Sequence, residues 1–270
     1  MTSDRLRIAR AVARAAADTA LEFHRDRSLR SWAKDDGSVV TEADLATEER
    51  IRRVLAELAP GEAVLGEEYG LDGAPAEGCW VVDPIDGTEN FRRAGLVWGT
   101  LVAWCSGSRP VAAVVSAPSL GRTWWAERGR GAHTDGRRRL SVSRVAELSE
   151  ASFAFGGAHE YPPRELARLT AYAATCRTAW GIGNFLGHVQ VAEGAVDGAL
   201  SHGARIWDLA APALVVEEAR GEWSDLDGRP DLGTGTLLTT NGTLHRTLLA
   251  GVGAALGPSP ADRTSEENHP

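Results

Sequence analysis

The chain has 270 residues, 43% of them apolar and 24% charged, with a formal net charge of −8 at pH 7. That length supports one large domain or two joined halves, each with its own sheet. The acidic balance excludes a general nucleic-acid binder, which needs a basic face to displace counterions, but leaves room for a small anionic ligand, because a bound cation can invert the local charge.

Residues 3–27 read as a helix, with Ile8, Ala11, Val12, Ala15 and Phe23 recurring at helical spacing. The same stretch carries Arg5, Arg7, Arg10, Arg14 and Asp18, so it lacks the apolar centre of a secretion signal. No stretch is long and apolar enough to span a membrane. A cytoplasmic protein without a membrane partner is expected. Cys79, Cys105 and Cys176 are dispersed and show no CxxC spacing, which predicts buried reduced thiols. Lys34 is the only lysine, as a GC-rich coding sequence would produce.

Residues 34–41 are predicted to be irregular. A second helix follows over 42–58, with Ile51, Val54, Leu55 and Leu58 on one face and Thr41 as its N-cap. Residues 63–65 form a short buried strand that runs into Gly66-Glu67-Glu68. After a loop rich in Gly, Pro and Ala, Trp80-Val81-Val82 is a buried strand. Residues 97–127 read as an antiparallel meander, clearest at 111–115 and 123–126 and broken by Pro118 and Gly121. Trp124 and Trp125 point to opposite faces; one is expected in the core and the other at a dimer interface.

Beyond about residue 145 the rhythm changes. Strands at 152–155, 177–180, 196–200 and 237–239 alternate with helices at 164–173, 184–193 and 209–220 and one near Leu244. This predicts a layered α/β half with a partly parallel sheet. The expected organisation is an N-terminal half over 1–145, a C-terminal half over 146–256, and a disordered tail over 257–270 rich in Pro, Ser, Thr and charge.

The strongest chemical signal is WVVDPIDGT at 80–88. A buried strand ends in Asp83, Pro84 forces a turn, and Asp86 follows three residues on. Two carboxylates and the Ile85 carbonyl converge at a sheet end, and the N–H groups of Gly87 and Thr88 can face an anion. Hard divalent cations, magnesium in particular, take oxygen ligands of this kind. A solvated Asp-Pro turn is the bland alternative, but two acids seldom end an apolar strand without a partner. Glu67, Asp208 and Asp44 extend the constellation. By itself Asp208 reads as a helix cap, and Asp44 as a surface residue.

GEE at 66–68, DPIDGT at 83–88 followed by Asn90-Phe91, WDLAA at 207–211 and Thr41-Glu42-Ala43-Asp44 together resemble the inositol monophosphatase family. The likeness extends from about residue 5 to 255, with the motifs in family order. It implies an αβαβα sandwich, homodimers, and hydrolysis of a small phosphate monoester with two or three magnesium ions. It assigns Glu67, Asp83 and the Ile85 carbonyl to a first ion, and Asp83, Asp86 and Asp208 to a second. Thr88 and Asp44 would orient or deprotonate the attacking water, and Gly87 and Thr88 would cradle the phosphate. Two such cations clamp the attacking and leaving oxygens of an in-line displacement.

Within the family, Asn90 to Arg93, VWGTLVAW at 97–104 and TNGTLH at 240–245 are similar to the actinobacterial histidinol-phosphate phosphatases. Histidinol phosphate is therefore the leading substrate. Asn184 and Ser201 depart from that branch, standing where acids are usual, so a cationic substrate loses expected partners. His188, His202 and Arg205 lie nearby, and His202, Arg205 and Arg93 join Asn184 and Ser201 as candidate substrate contacts. The alternative substrates are nucleoside, aminonucleoside, sugar or inositol phosphates. A non-catalytic binding protein on the same fold would be expected to have lost a metal ligand, and Glu67, Asp83, Asp86 and Asp208 are all present.

Overall fold

The computed structural model describes residues 3–26, 28–35, 37–181 and 183–257. The tail expected to be disordered lies, from residue 258 onward, outside the described residues. The chain divides into two compact units between Arg138 and Arg139.

In the first unit, α1 (Asp4–Phe23) is capped by the Ser3 side chain, which accepts from the Leu6 N–H. It ends at Phe23, short of the predicted residue 27, because His24 turns extended and Arg25 takes a left-handed φ of 85°. Strand β1 (Ser31–Ala33), just before the 34–41 segment expected to be irregular, pairs antiparallel with β2 (Val39–Thr41), which forms within that segment. Val39, Val40 and Thr41 are β-branched and favour extended backbone, and a Lys34 N–H to Ser38 carbonyl bond of 2.8 Å closes the turn. Helix α2 (Glu42–Leu58) starts at Thr41 as predicted. Its cap is reciprocal: Asp44 accepts from the Thr41 N–H at 2.8 Å while the Thr41 hydroxyl accepts from Ala43.

Strands β3 (Ala63–Gly66), β4 (Gly70–Asp72) and β5 (Cys79–Asp86) precede the short helix α3 (Thr88–Arg92). The meander follows as β6 (Gly99–Ser106), β7 (Arg109–Ala117), β8 (Arg122–Glu127), β9 (Gly131–Thr134) and β10 (Arg138–Arg139). The sheet order is β10-β9-β8-β7-β6-β5-β3-β4, and β3 runs parallel to β5. Helices α1 and α2 cover one face. Ile8, Val12, Ile51 and Leu55 pack there on Trp80, Val82, Val102, Val114 and Trp125, the alternate residues of their strands. Trp124 is 2% exposed and Trp125 7%. Both are buried within the chain, so neither is the interface tryptophan that the alternation suggested.

The second unit holds β11 (Ser152–Phe155), α4 (Pro163–Ala173), β12 (Thr178–Gly181), α5 (Phe185–Glu193), β13 (Gly198–His202), α6 (Ile206–Glu218), β14 (Glu222–Ser224), β15 (Thr236–Thr240) and α7 (His245–Leu256). The sheet order is β12-β11-β13-β15-β14, parallel across the first three strands and antiparallel across the rest. Phe153, Phe155, Leu200 and Leu238 face α4 and α7. The next residues along, Ser201 and Thr239, bond to His188 of α5 on the other face. This is the layered α/β construction expected.

The division falls before residue 145 because the leading segment of the second unit is bonded into it. The Val142 N–H donates to the Ala219 carbonyl at 3.1 Å, and Asn241 donates to the Ser143 hydroxyl and the Val145 carbonyl at 2.9 Å each.

Candidate active site

The end of β5 carries an irregularity that decides the chemistry. Asp83 pairs with Leu101 and Asp86 with Gly99, so three steps on β5 match two on β6. In a regular strand, residues three apart point to opposite faces. The extra residue of the bulge returns Asp86 to the side of Asp83, and their carboxylates approach within 4.8 Å. Asp83 is 1% exposed, and its Oδ1 accepts from the Ile85 N–H at 2.9 Å, which fixes the turn. The Thr100 hydroxyl donates to the Pro84 carbonyl at 2.9 Å. Gly87 supplies the left-handed φ of 89° that swings the chain into α3.

Thr88, the first residue of α3, reaches back. Its hydroxyl lies 3.0 Å from Asp44 Oδ1 and 3.1 Å from the Ile85 carbonyl oxygen. Asp44 is fully buried, and burial raises its carboxyl to about 6 against the opposing hydrogen bonds from Thr41 and Thr88. The surface role that Asp44 would have by itself does not apply; the α2 cap and the Thr88 hydroxyl share its two oxygens.

Gly66 pairs with Val82 in the parallel β3–β5 ladder, so Glu67 leaves the sheet beside Asp83. A Cβ at Gly66 would overlap the Glu48 carboxylate. That buried carboxylate accepts from the Glu68 N–H at 2.7 Å and the Tyr69 N–H at 3.2 Å, and Arg52 pairs with it at 2.8 Å. Lys34 Nζ bridges Glu67 and Glu68, 2.8 Å from each. Burial works against the ammonium, but the two carboxylates outweigh it and hold Lys34 protonated. Burial raises Glu68 to about 7. Neither Glu48 nor Lys34 was singled out for the site from the sequence; the only available signal was that Lys34 is the sole lysine.

The donors gathered at this end of the first unit are carboxylate and carbonyl oxygens. They suit a hard cation such as magnesium, and burial leaves Asp83 little water to solvate a charge.

In the second unit, Asp208 is the third residue of α6, and its Oδ2 accepts from the Arg205 N–H at 2.6 Å. Arg205 is the N-cap of α6. Asn184 is the N-cap of α5, where its Oδ1 accepts from the Leu186 N–H at 3.2 Å. Ser201 Oγ lies 2.8 Å from His188 Nε2, and His188 Nδ1 lies 2.8 Å from Thr239 Oγ1. Burial pulls the His188 imidazole down to about 4, so it is neutral at pH 7. His202 is buried and stacks on Tyr161 at 5.3 Å. Asn184, Ser201, Arg205 and Asp208 thus gather where parallel strands end and the following helices begin, the usual ligand edge of such sheets.

Arg93 caps α3 at its C-terminal end and pairs with Glu89 at 2.5 Å. Bonds from Arg92 and Arg93 hold Glu89 down at about 2. Asp197 accepts from the Ser152 N–H at 2.7 Å and from the Ser143 hydroxyl. Both acids are engaged by these partners.

The inositol monophosphatase family model matches residues 2–256. A histidinol-phosphatase of Streptomyces coelicolor is 41% identical over 258 residues, covering 91% of this chain and 96% of the relative. One from Mycobacterium tuberculosis is 43% identical over 252 residues, covering 90% and 97%. Among solved structures, the extragenic suppressor protein suhB of Bartonella henselae superposes with a TM-score of 0.87 at 26% identity, covering 93% of this chain and 98% of that one. The fold and the acidic sheet end define a phosphoric monoester hydrolase of layered α/β type. The chain belongs to the inositol monophosphatase family. No helix among the described residues is long and apolar enough to cross a membrane.

Proposed function

We propose that the chain hydrolyses histidinol phosphate with magnesium. The observation that carries the substrate is the likeness, over nine-tenths of the chain, to two histidinol-phosphatases. Glu67, Asp83 and the Ile85 carbonyl would hold one ion, and Asp83, Asp86 and Asp208 a second. When bound, the ions supply positive charge to the attacking and leaving oxygens. The chain's own groups do the positioning. Thr88, steadied by Asp44, holds the attacking water, and the N–H groups of Gly87 and Thr88 receive the phosphate oxygens. The family likeness also supports a cytoplasmic homodimer.

A second reading rests on one specific contact. Ser201 is bonded to a neutral histidine, and Asn184 is spent as a cap. Neither offers a charge to an ammonium group. On this reading, neutral hydroxyl-rich or nucleoside phosphates are accepted at least as well as histidinol phosphate. Phosphate release from histidinol phosphate, inositol phosphate and nucleoside monophosphates, with and without magnesium, tests both. A kcat/KM for histidinol phosphate several orders of magnitude above the others establishes the first reading and removes the second. No magnesium-dependent release from any substrate overturns both.

A further inference from the structure

A cleft of about 740 Å³ lies between α1 and the β7–β8 face of the first unit, and it shares no residue with the acidic site. It exists because α1 presents alanines there. Ala13 and Ala17 leave space over the sheet that larger side chains would fill. The floor is made of two cross-strand pairs, Val114 with Trp125 and Ser116 with Thr123, which are alternate residues of one sheet face. Arg7, Arg10 and Arg14 stand along one stripe of α1 and line one wall, and Arg122 of β8 lines the other.

This concentration of cations runs against the charge of a chain that is acidic overall, with a formal net charge of −8. Only Asp135 opposes it within the cleft, 3.8 Å from Arg122. Arg7 pairs with Asp4. Arg10 and Arg14 have no carboxylate within ion-pair distance among the described residues. Arg10 lies over the Trp125 ring, 4.3 Å from its centroid. That stacking fixes the face of the guanidinium and leaves its edge N–H groups to bond in plane. Ser116 is 6% exposed, lines the cleft, and its hydroxyl has no hydrogen-bond partner among the described residues. A pinned guanidinium, a second one without a carboxylate and the Ser116 hydroxyl therefore line one cleft over an apolar floor.

We propose that this cleft is a binding site for a small organic dianion with a flat apolar body. Its charges would meet Arg10 and Arg14, its body would lie on Val114 and Trp125, and one of its oxygens would accept a hydrogen bond from the Ser116 hydroxyl. The alanines of α1 set the width of the slot, and the arginines set the sign of the charge.

Naphthalene-1,5-disulfonate is a suitable probe, being flat, twice charged and inert to phosphatases. Calorimetric titration of the full chain in magnesium, followed in parallel by tryptophan fluorescence, is expected to show saturable binding with one site per chain. Inorganic sulfate, which has the charge without the body, is expected to bind at least tenfold more weakly. R10A/R14A is expected to weaken the disulfonate by roughly tenfold or more, as loss of charge-assisted bonds does, and to leave phosphatase turnover without the probe unchanged. D83N is expected to bind the probe as the wild type does, which separates this cleft from the acidic site. The proposal is overturned if no saturable binding occurs below about 1 mM, if R10A/R14A binds as tightly as the wild type, or if D83N abolishes binding. Sulfate binding as tightly as the disulfonate overturns the assignment of an apolar body.

Discussion

The Thr88 hydroxyl stands 3.0 Å from Asp44 Oδ1 and 3.1 Å from the Ile85 carbonyl oxygen. It has one proton, which can go to only one of these acceptors. Donation to Asp44 leaves the carbonyl free to serve as a ligand and turns the lone pairs of Thr88 toward a water. Thr88→Ala is therefore expected to lower kcat roughly a hundredfold or more with little change in KM, because the bond is used in the transition state. Steady-state kinetics at saturating magnesium check this, and an unchanged kcat would remove Thr88 from the mechanism.

Asp83→Asn isolates charge from shape. The amide oxygen can still accept the Ile85 N–H that Asp83 now holds at 2.9 Å, so the turn and the thermal transition should survive. The proposed bridging charge is lost. Activity should fall by more than the roughly 10–100-fold typical of outer-shell changes, and magnesium should bind more weakly in calorimetry. Near-native turnover in the folded variant would refute the two-ion assignment.

Gly66→Ala tests how the Glu67 segment is held. The new methyl would collide with the Glu48 carboxylate, which is fixed by two N–H donors and Arg52. Overpacking of this kind costs about 1–3 kcal/mol, readable in urea unfolding. Because Glu67 is the next residue, the variant should also need more magnesium for half-maximal activity. An unaltered unfolding midpoint would show that Glu48 can move aside.

His188 gives stability a dependence on pH. Its imidazole takes a proton at about 4 in the fold, against 6.5 when exposed in the unfolded chain. Between these values the unfolded state binds more protons, so stability falls as pH drops from 6.5 to about 4 and is intact above that window. The loss is on the order of 3 kcal/mol. His188→Gln, which can still donate to and accept from Ser201 and Thr239, should flatten this part of the profile. Urea midpoints at pH 7, 6, 5 and 4 decide it, and parallel profiles for the two proteins would contradict the assignment.

What could be read from the chain is what is local to it. The Thr41 cap of α2 and the strand running into DPIDGT depend on neighbours a few residues apart, and the structure has both where expected. The layered alternation of the second unit was legible for the same reason. The hairpin of β1 and β2 was not, because its pairing gathers residues on either side of a turn within a polar stretch. Lys34 and Glu48 owe their positions to contacts with residues 66–69, far away in sequence. Ser201 was read as a candidate substrate contact, but its partner His188 lies 13 residues back on another element. The pair Trp124 and Trp125 was misjudged because alternation tells which way a side chain points, not whether that face is covered.

The mismatch between β5 and β6 also constrains how this stretch can change length. Asp83 and Asp86 share a side only because β5 spends three steps where β6 spends two. Deleting either residue between them would restore a regular ladder, yet it would leave two aspartates separated by a single residue and pull Gly87 and Thr88 back along the strand. Thr88 would then no longer meet Asp44. Substitutions at Pro84 and Ile85 can be graded by size and polarity, but the interval itself behaves as a fixed count, and an insertion or deletion there has no intermediate form that keeps both the carboxylates and the threonine in place.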